Sequence, residues 1–222
     1  MKISRETIDI LTNFASINAS IYIRAGSTIK TKAPLENVGA VATVTEVFPT
    51  DFAIYALSDL LSLLKLFDEP DVEFGPNSLT LRSESGAIVY HYLDPALIDE
   101  AKMKIPQYNT VFEFDMTDAD IKMIHKTASI LDANTLSVIG DGSSVQLIVS
   151  NDGHDVTNSY KKPIGESTEV FSYHISLDTF KLISDCYSVK LAQSGKAKFV
   201  HFVSTSRELD YVLSVSSKST LG

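Results

Sequence analysis

The chain has 222 residues, of which 44% are hydrophobic and 21% are charged, as in ordinary globular proteins. Its formal net charge of −9 argues against nonspecific adhesion to nucleic acid, because neutralising phosphates requires lysine and arginine, although the total hides any local basic face. No apolar run approaches the roughly 20 residues that cross a bilayer and the first residues lack a signal-peptide pattern, so we expect no membrane partner.

The first half opens with an amphipathic helical pattern over residues 4–16. Ser4 suits the N-cap, and Ile8 and Leu11 share the apolar face. Segments of β type follow at 20–24, 28–32 and 40–48. A second helix is predicted within Phe52–Leu64, because leucines recur every three or four residues from position 57. Short strands at 79–82 and 87–92 complete this half.

A stretch from 94 to 109 contains Pro95 and Pro106 but no strand period, and we assign it as an interdomain connector. The second half then repeats the order of the first. A helix is predicted at about 117–131 and a fourth helix at about 176–187, where Phe180 and Ile183 would face inward. Strands are predicted around 136–140, 145–150, 154–160, 170–175, 187–191, 197–204 and 209–216.

The two halves also share residues in matching order. Ile8, Ala15, Ser16 and Ile17 recur as Ile121, Ala128, Ser129 and Ile130, while Phe52, Asp59 and Leu63 recur as Phe171, Asp178 and Leu182. We therefore predict an α+β fold of two similar domains, 1–108 (with the connector from about 94) and 109–222, each with two helices packed on antiparallel sheet. Joining such sheets edge to edge into a closed ring would remove exposed strand edges, which is a hypothesis.

Nothing in the sequence favours an enzyme. It contains no phosphate-binding loop, zinc spacing or nucleophile motif. The polar cluster at 151–155 is explained by a hairpin turn rather than a metal site, and Asp118 and Asp120 are explained as anions in the first turn of a helix. Cys186, the single cysteine, is expected to be a small buried residue. We expect no catalytic residue, metal or cofactor.

The outward faces of the predicted helices combine cations with short hydroxyl groups: Arg5, Lys65, Lys122, Lys126 and Lys181, with Ser16, Ser58, Ser62 and Ser129. Such a face suits loose contact with phosphates without base readout. The alternative is an ordinary solvated helix face, and Asp9, Asp59 and Asp178 weaken the basic signal.

Several segments carry a family resemblance. Met1–Ser4, with Asn13–Ala15 downstream, resembles the N-terminus of the T4-type bacteriophage sliding clamps. Ala53–Tyr55 is similar to the segment that enters the second helix of that family, and Ala197–Phe199 and Tyr211–Val212 resemble its final strands. These patches occur in the expected order across nearly the full chain, which is thereby identified as a member of the family.

The resemblance implies the DNA-clamp fold and a DNA polymerase processivity factor. In this family three identical subunits form a ring around double-stranded DNA, with helices lining the hole and sheets forming the wall. An ATP-dependent clamp loader places the ring on DNA regardless of sequence, and the ring tethers the replicative polymerase, which raises its effective concentration at the primer end. The resemblance further implies contacts with sigma-like and coactivator proteins of late transcription, and action in the cytoplasm of the infected bacterial host.

On this interpretation the DNA-facing set is Lys2, Arg5, Lys65, Lys122, Lys126 and Lys181. Thr12 departs from the family pattern, since a cation is expected there, and Lys30, Lys32, Lys161 and Lys162 are candidates to compensate. A partner-peptide pocket is expected near the connector, formed by Ile105, Pro106, Tyr108, Val111, Leu213 and Val215. Ordinary domain packing is the alternative for these apolar residues. The main rival function is a non-enzymatic oligomeric phage structural or assembly protein, and a small hydrolase is a third class without a motif.

Overall fold

The structure is a computed structural model that describes residues 1–67, 70–98, 100–151 and 158–222. The chain divides into two compact units, Met1–Met103 and Lys104–Gly222, so the division falls within the predicted connector. No described helix has the length and apolarity needed to span a membrane.

Unit 1 contains two helices, α1 (Arg5–Ile17) and α2 (Leu57–Leu66). Its strands are β1 (Ile21–Ile23), β2 (Gly26–Lys32), β3 (Val38–Phe48), β4 (Phe52–Ile54), β5 (Asp71–Phe74), β6 (Ser78–Ser83) and β7 (Gly86–His91). All pairings within the unit are antiparallel: β1 with β4, β2 with β3, and β5, β6 and β7 in that order.

Helix α1 forms where its period and cap predict it. The Ser4 hydroxyl accepts a hydrogen bond from the Thr7 amide, which satisfies one of the free donors of the first turn. Phe14 is fully buried, and burying a side chain of that size stabilises the fold by about 1.5–3 kcal/mol. The second helix begins later than predicted, because Phe52–Ile54 pairs with β1 as a strand and the leucine period starts only at Leu57.

Unit 2 contains the helix α3 (Asp118–Leu131). Its strands are β8 (Asn109–Met116), β9 (Thr135–Asp141), β10 (Ser144–Ser150), β11 (Ser159–Glu166), β12 (Val170–Ser176), β13 (Tyr187–Ser194), β14 (Ala197–Ser204), β15 (Leu209–Ser214) and β16 (Thr220–Leu221). They form two antiparallel arrays, β11-β10-β9-β12-β16 and β15-β14-β13-β8.

The fourth helix predicted at 176–187 is wrong: the chain leaves β12 through a turn and continues without helical structure to β13. Side-chain hydroxyls replace the missing helical hydrogen bonds. The Tyr187 hydroxyl donates to the Ile183 carbonyl at 2.8 Å, and the Tyr211 hydroxyl accepts from the Ile183 amide at 3.4 Å. Phe180 is nevertheless buried, but the next buried residue along the segment is Leu182, whereas the predicted Ile183 is only half-buried.

Smaller differences concern edges and turns. β5, β8 and β16 were not predicted. Of the strand predicted at 154–160, the described part begins at Ser159, and residues 152–157 lie outside the described residues. Cys186 is exposed rather than buried, because it lies at the end of the irregular segment just before β13.

Candidate DNA-facing and partner-binding surfaces

Helix α3 presents the clearest basic face in unit 2. Ile121 and Ile124 are buried against the sheet, which turns Lys122 and Lys126 outward, where both are exposed. A capping box fixes the start of the helix: the Thr117 hydroxyl accepts from the Asp120 amide, and the Asp120 carboxylate accepts from the Thr117 amide. The structure therefore brings these two predicted cations together on one exposed helix face.

The charge of Lys122 is shared with a carboxylate. Lys122 Nζ lies 2.5 Å from Asp118 Oδ2, one helical turn earlier, and the two side chains are 69% and 37% exposed. Hydrogen bonds from Lys122 and from the Ser184 hydroxyl hold the pKa of Asp118 below its usual value, so this carboxylate is ionised at neutral pH. Lys126 forms no ion pair with any described residue, so it carries the unshared charge of this face.

The lysines of β11 differ from one another. Lys162 Nζ lies 2.5 Å from Asp120 Oδ1, which ties this strand to the first turn of α3. Burial opposes ionisation of Asp120, but bonds from Lys162 and Thr117 outweigh it and lower the pKa of the carboxyl. Lys161 is exposed on the same strand. Of these two lysines of β11, Lys161 is therefore the more available for a contact with phosphate.

In unit 1 the predicted cations Lys2, Arg5 and Lys65 line one groove of about 1010 Å³. The groove lies between the start of α1 and the end of α2, and Ile8 and Leu66 add apolar surface to it. Asp9 also lines it, so the groove is basic on balance but not uniformly so.

Beneath this groove Glu46 anchors the start of α1. Its carboxylate is 7% exposed and accepts hydrogen bonds from the Ser4 amide and the Thr7 hydroxyl. Burial alone would raise the pKa of Glu46, but these hydrogen bonds outweigh burial and lower it. A buried, ionised carboxylate thus holds the helix end from which Arg5 projects.

Lys181 lies on the irregular segment after β12, not on a helix, and is exposed there. That segment runs beside α3, since the Phe180 ring lies 5.4 Å from the His125 ring. Lys30 and Lys32 lie on β2, where Lys32 is paired with Glu36 at 2.5 Å.

The predicted partner pocket is only partly assembled. Pro106 and Tyr108 line an open pocket of about 450 Å³, together with Gln193–Gly195 at the end of β13 and the start of the turn that follows it. The remaining predicted members, Ile105, Val111, Leu213 and Val215, do not line it. Leu213 is fully buried on the core side of β15, and Val111 falls in the bulge where β8 shifts register against β13.

The sequence did not point to the polar half of this pocket. Gln107, Asn109, Gln193 and Ser194 give it amide and hydroxyl groups, and the Ser194 hydroxyl donates to the Gln107 carbonyl at 2.8 Å. Strand pairing brings positions about 90 apart in the chain together, so no local pattern could have identified them. The pocket offers hydrogen bonds as well as the faces of Pro106 and Tyr108.

Among the described residues, no group of three or more histidine, cysteine, aspartate or glutamate side chains is arranged to hold a metal ion. Residues 152–155 of the polar cluster considered above lie outside the described residues.

Comparison with known proteins finds similar proteins of one kind. Residues 3–93 match the family described as DNA polymerase processivity factor. A sliding clamp of Vibrio phage KVP40 is 27% identical over 211 residues, covering 90% of this chain and 94% of the relative. The sliding clamp of Enterobacteria phage T4 is 24% identical over 232 residues, covering 99% of each chain.

The fold agrees with these matches. The solved structure titled "C-terminal region of FEN-1 bound to A. fulgidus PCNA" superposes with a TM-score of 0.69, at 11% identity and 96% coverage of both chains. Since that identity is low, this likeness shows the fold alone. The chain has the DNA-clamp fold, its residues 3–93 match the DNA polymerase processivity factor family, and over nearly its full length it is similar to the sliding clamps of T4-type phages.

Proposed function

We propose that three copies of this chain close as a ring around duplex DNA, that an ATP-dependent loader places the ring there, and that the ring tethers the replicative polymerase. The observation that carries the DNA-facing part is the exposed face of α3, where Lys122 and Lys126 project from a helix whose other side is buried. Lys2, Arg5 and Lys65 in unit 1 and Lys181 in unit 2 complete the proposed basic lining.

Weak contacts are sufficient for such a ring, because topology replaces affinity. An encircling protein leaves only when it opens or reaches a DNA end, and weak contacts to phosphates allow it to slide. The acidic total of −9 then keeps DNA away from the outer surface, provided that the cations line the hole.

The test is primer extension by the cognate polymerase and loader, with wild-type clamp and the Lys122→Ala, Lys126→Ala double variant. We expect shorter products from the variant, with the difference growing as salt increases. The control is Lys196→Ala, which removes a lysine from the exposed turn between β13 and β14. Equal product lengths for all three proteins across the salt series would remove α3 from the DNA-facing surface.

For ring closure we propose that β7 of one copy pairs with β11 of the next. Each strand has one partner among the pairings described, β6 and β10 respectively, so each leaves an edge unpaired. Val89 on β7 is 55% exposed, and Pro163 within β11 is typical of an edge strand.

A change at this edge should lower the oligomeric mass. We expect Val89→Asp to shift the mass measured by light scattering from that of three copies toward that of one. The circular dichroism spectrum should stay that of the folded protein. Val170→Asp is the matched control, since Val170 on β12 is 56% exposed. A trimeric Val89→Asp protein would contradict the proposed pairing.

For partner binding we propose that the C-terminal tail of the polymerase occupies the pocket of Pro106, Tyr108 and Gln193–Gly195. Support comes from the solved complex above, whose title places a C-terminal region on a protein of the same fold. Tyr108→Ala should abolish binding of a synthetic tail peptide in a fluorescence assay, whereas unchanged binding would exclude this pocket. We also propose the role in late transcription that the family resemblance implies, testable by adding the clamp to transcription from a late promoter on nicked DNA.

A further inference from the structure

His201 is a buried histidine in unit 2 that the proposed function leaves without a role. It lies on β14, is 7% exposed, and has Tyr108 on one side of its ring and Asp210 on the other. His201 Nδ1 lies 2.8 Å from the Tyr108 hydroxyl, and Nε2 lies 3.5 Å from Asp210 Oδ1. Nε2 is buried and forms no hydrogen bond in this conformation.

The three groups determine where the imidazole proton lies. A carboxylate can only accept a hydrogen bond, so the nitrogen that faces Asp210 is best satisfied when it carries the proton. A neutral ring protonated on Nε2 has an acceptor at Nδ1, and the Tyr108 hydroxyl must then donate to it. Burial, with smaller contributions from Glu113 and Asp210, raises the pKa of Tyr108, which keeps that donor protonated.

Other charged groups leave this assignment unchanged. Lys190, on β13, is paired in register with His201, and its Nζ lies 3.9 Å from Glu113 on β8. These two charges offset each other beside the ring. From β15 the charged neighbour is Asp210, which therefore dominates the placement of the proton.

The bond holds Tyr108 at the pocket. The Tyr108 ring stands edge-on to both His201, with ring centroids 5.8 Å apart, and Phe199, at 5.4 Å. Phe199 fixes the ring by packing, whereas His201 bonds to the hydroxyl and so fixes its direction.

We infer that His201 is a positioning residue. With its proton on Nε2 toward Asp210, His201 accepts a hydrogen bond from the Tyr108 hydroxyl at Nδ1 and so holds the Tyr108 ring at the partner pocket. The effect on Tyr108 follows from the geometry of unit 2, whereas its consequence for peptide binding rests on the proposed function.

Two measurements on the full-length clamp test this inference separately. Long-range ¹H–¹⁵N spectra at pH 8 report which ring nitrogen carries the proton. We expect the Nε2–H form in the wild type and a larger share of the Nδ1–H form in Asp210→Asn. Dominance of the Nδ1–H form in the wild type would overturn the inference, whatever the peptide does.

The second measurement is the affinity for a synthetic peptide of the cognate polymerase tail. Losing one net hydrogen bond should weaken binding about fivefold in Tyr108→Phe and in His201→Phe, with no further loss in the double variant. His201→Asn, whose amide reaches about the position of Nδ1, should restore most of the affinity. Additive losses of affinity in the double variant would contradict positioning through this bond. So would a His201→Asn protein that melts at the same temperature as His201→Phe but binds the peptide no more tightly.

These arms separate the two proposals. If Tyr108→Ala leaves peptide binding unchanged, the pocket is wrong, and the ring-nitrogen spectra still decide whether His201 orients Tyr108.

Discussion

If the chain forms the proposed ring, replacing Asp118 by asparagine should strengthen the hold of the ring on DNA, because Asp118 is ion-paired with Lys122, one of the proposed DNA-facing cations. Asp118 lies 2.5 Å from Lys122 Nζ and partly neutralises it. Asparagine keeps an oxygen that accepts from the Ser184 hydroxyl but removes the charge. Lys122 is then free to pair with phosphate, as Lys126 already is.

The expected magnitude follows from counterion release. Each phosphate contact contributes about 0.9 to the slope of log affinity against log salt. If one subunit touches DNA at a time, Asp118→Asn should steepen this slope by up to about 0.9, and Lys126→Ala should flatten it by a similar amount. The assay measures the half-life of fluorescently labelled clamp on a nicked DNA circle at several salt concentrations. The half-life reports on contacts between lysines and phosphates, because these contacts decide whether an opened ring recloses around the DNA or leaves it.

A matched control and a double variant make this test specific. Glu169→Gln removes one carboxylate from an exposed turn of the same unit and should leave the slope unchanged. Because Asp118 is argued to act through Lys122, Asp118→Asn should have no effect in a Lys122→Ala background. An equally steepened slope in both backgrounds, or an unchanged slope in both, would contradict an effect of Asp118 that acts through Lys122.

Three further predictions concern stability. Because the pKa of Glu46 is lowered, its carboxylate stabilises the fold at pH values above the ordinary glutamate pKa of about 4.3, and this contribution is lost as the pH falls through the folded-state pKa. Glu46→Gln should therefore lower the free energy of unfolding by about 1–3 kcal/mol at pH 7 and by progressively less in acid, as measured by urea unfolding. Gly140→Ala would place a methyl 2.7 Å from the Phe171 ring and should lower stability by about 1–3 kcal/mol, or several degrees in Tm, whereas an unchanged Tm would show that the ring moves freely. Tyr187→Phe should speed amide exchange in residues 181–186 without changing α3, since it removes the bond to Ile183; uniform exchange rates would contradict this role.

The sequence predicted the elements whose signals are local. Ser4 and the apolar period that follows it specify α1, and the buried pair Ile121 and Ile124 orients α3. The prediction for 176–187 failed because the chain buries Phe180 and Leu182, two residues apart, rather than the pair Phe180 and Ile183 that a helical period favours. Of the two hydroxyls that bond to Ile183, only that of Tyr211, in β15, comes from outside the segment, where no local pattern reports it.

The same distinction explains the candidate sites. Lys122 and Lys126 could be grouped in advance because a helix places residues four apart on one face. Leu213 was misjudged because strand alternation shows which residues share a face but not which face is covered, and here that face is the core. Gln193 and Ser194 reach the connector only through strand pairing, which no local pattern reports.

The proposal that this protein holds DNA by encircling it is tested most directly by linearising the DNA. Clamp is loaded on a nicked circle, free protein is removed, and the clamp retained is measured before and after a single restriction cut in high salt. We expect stable retention on the circle and rapid loss through the new ends after cutting. Equal retention on circular and linear DNA would contradict encirclement.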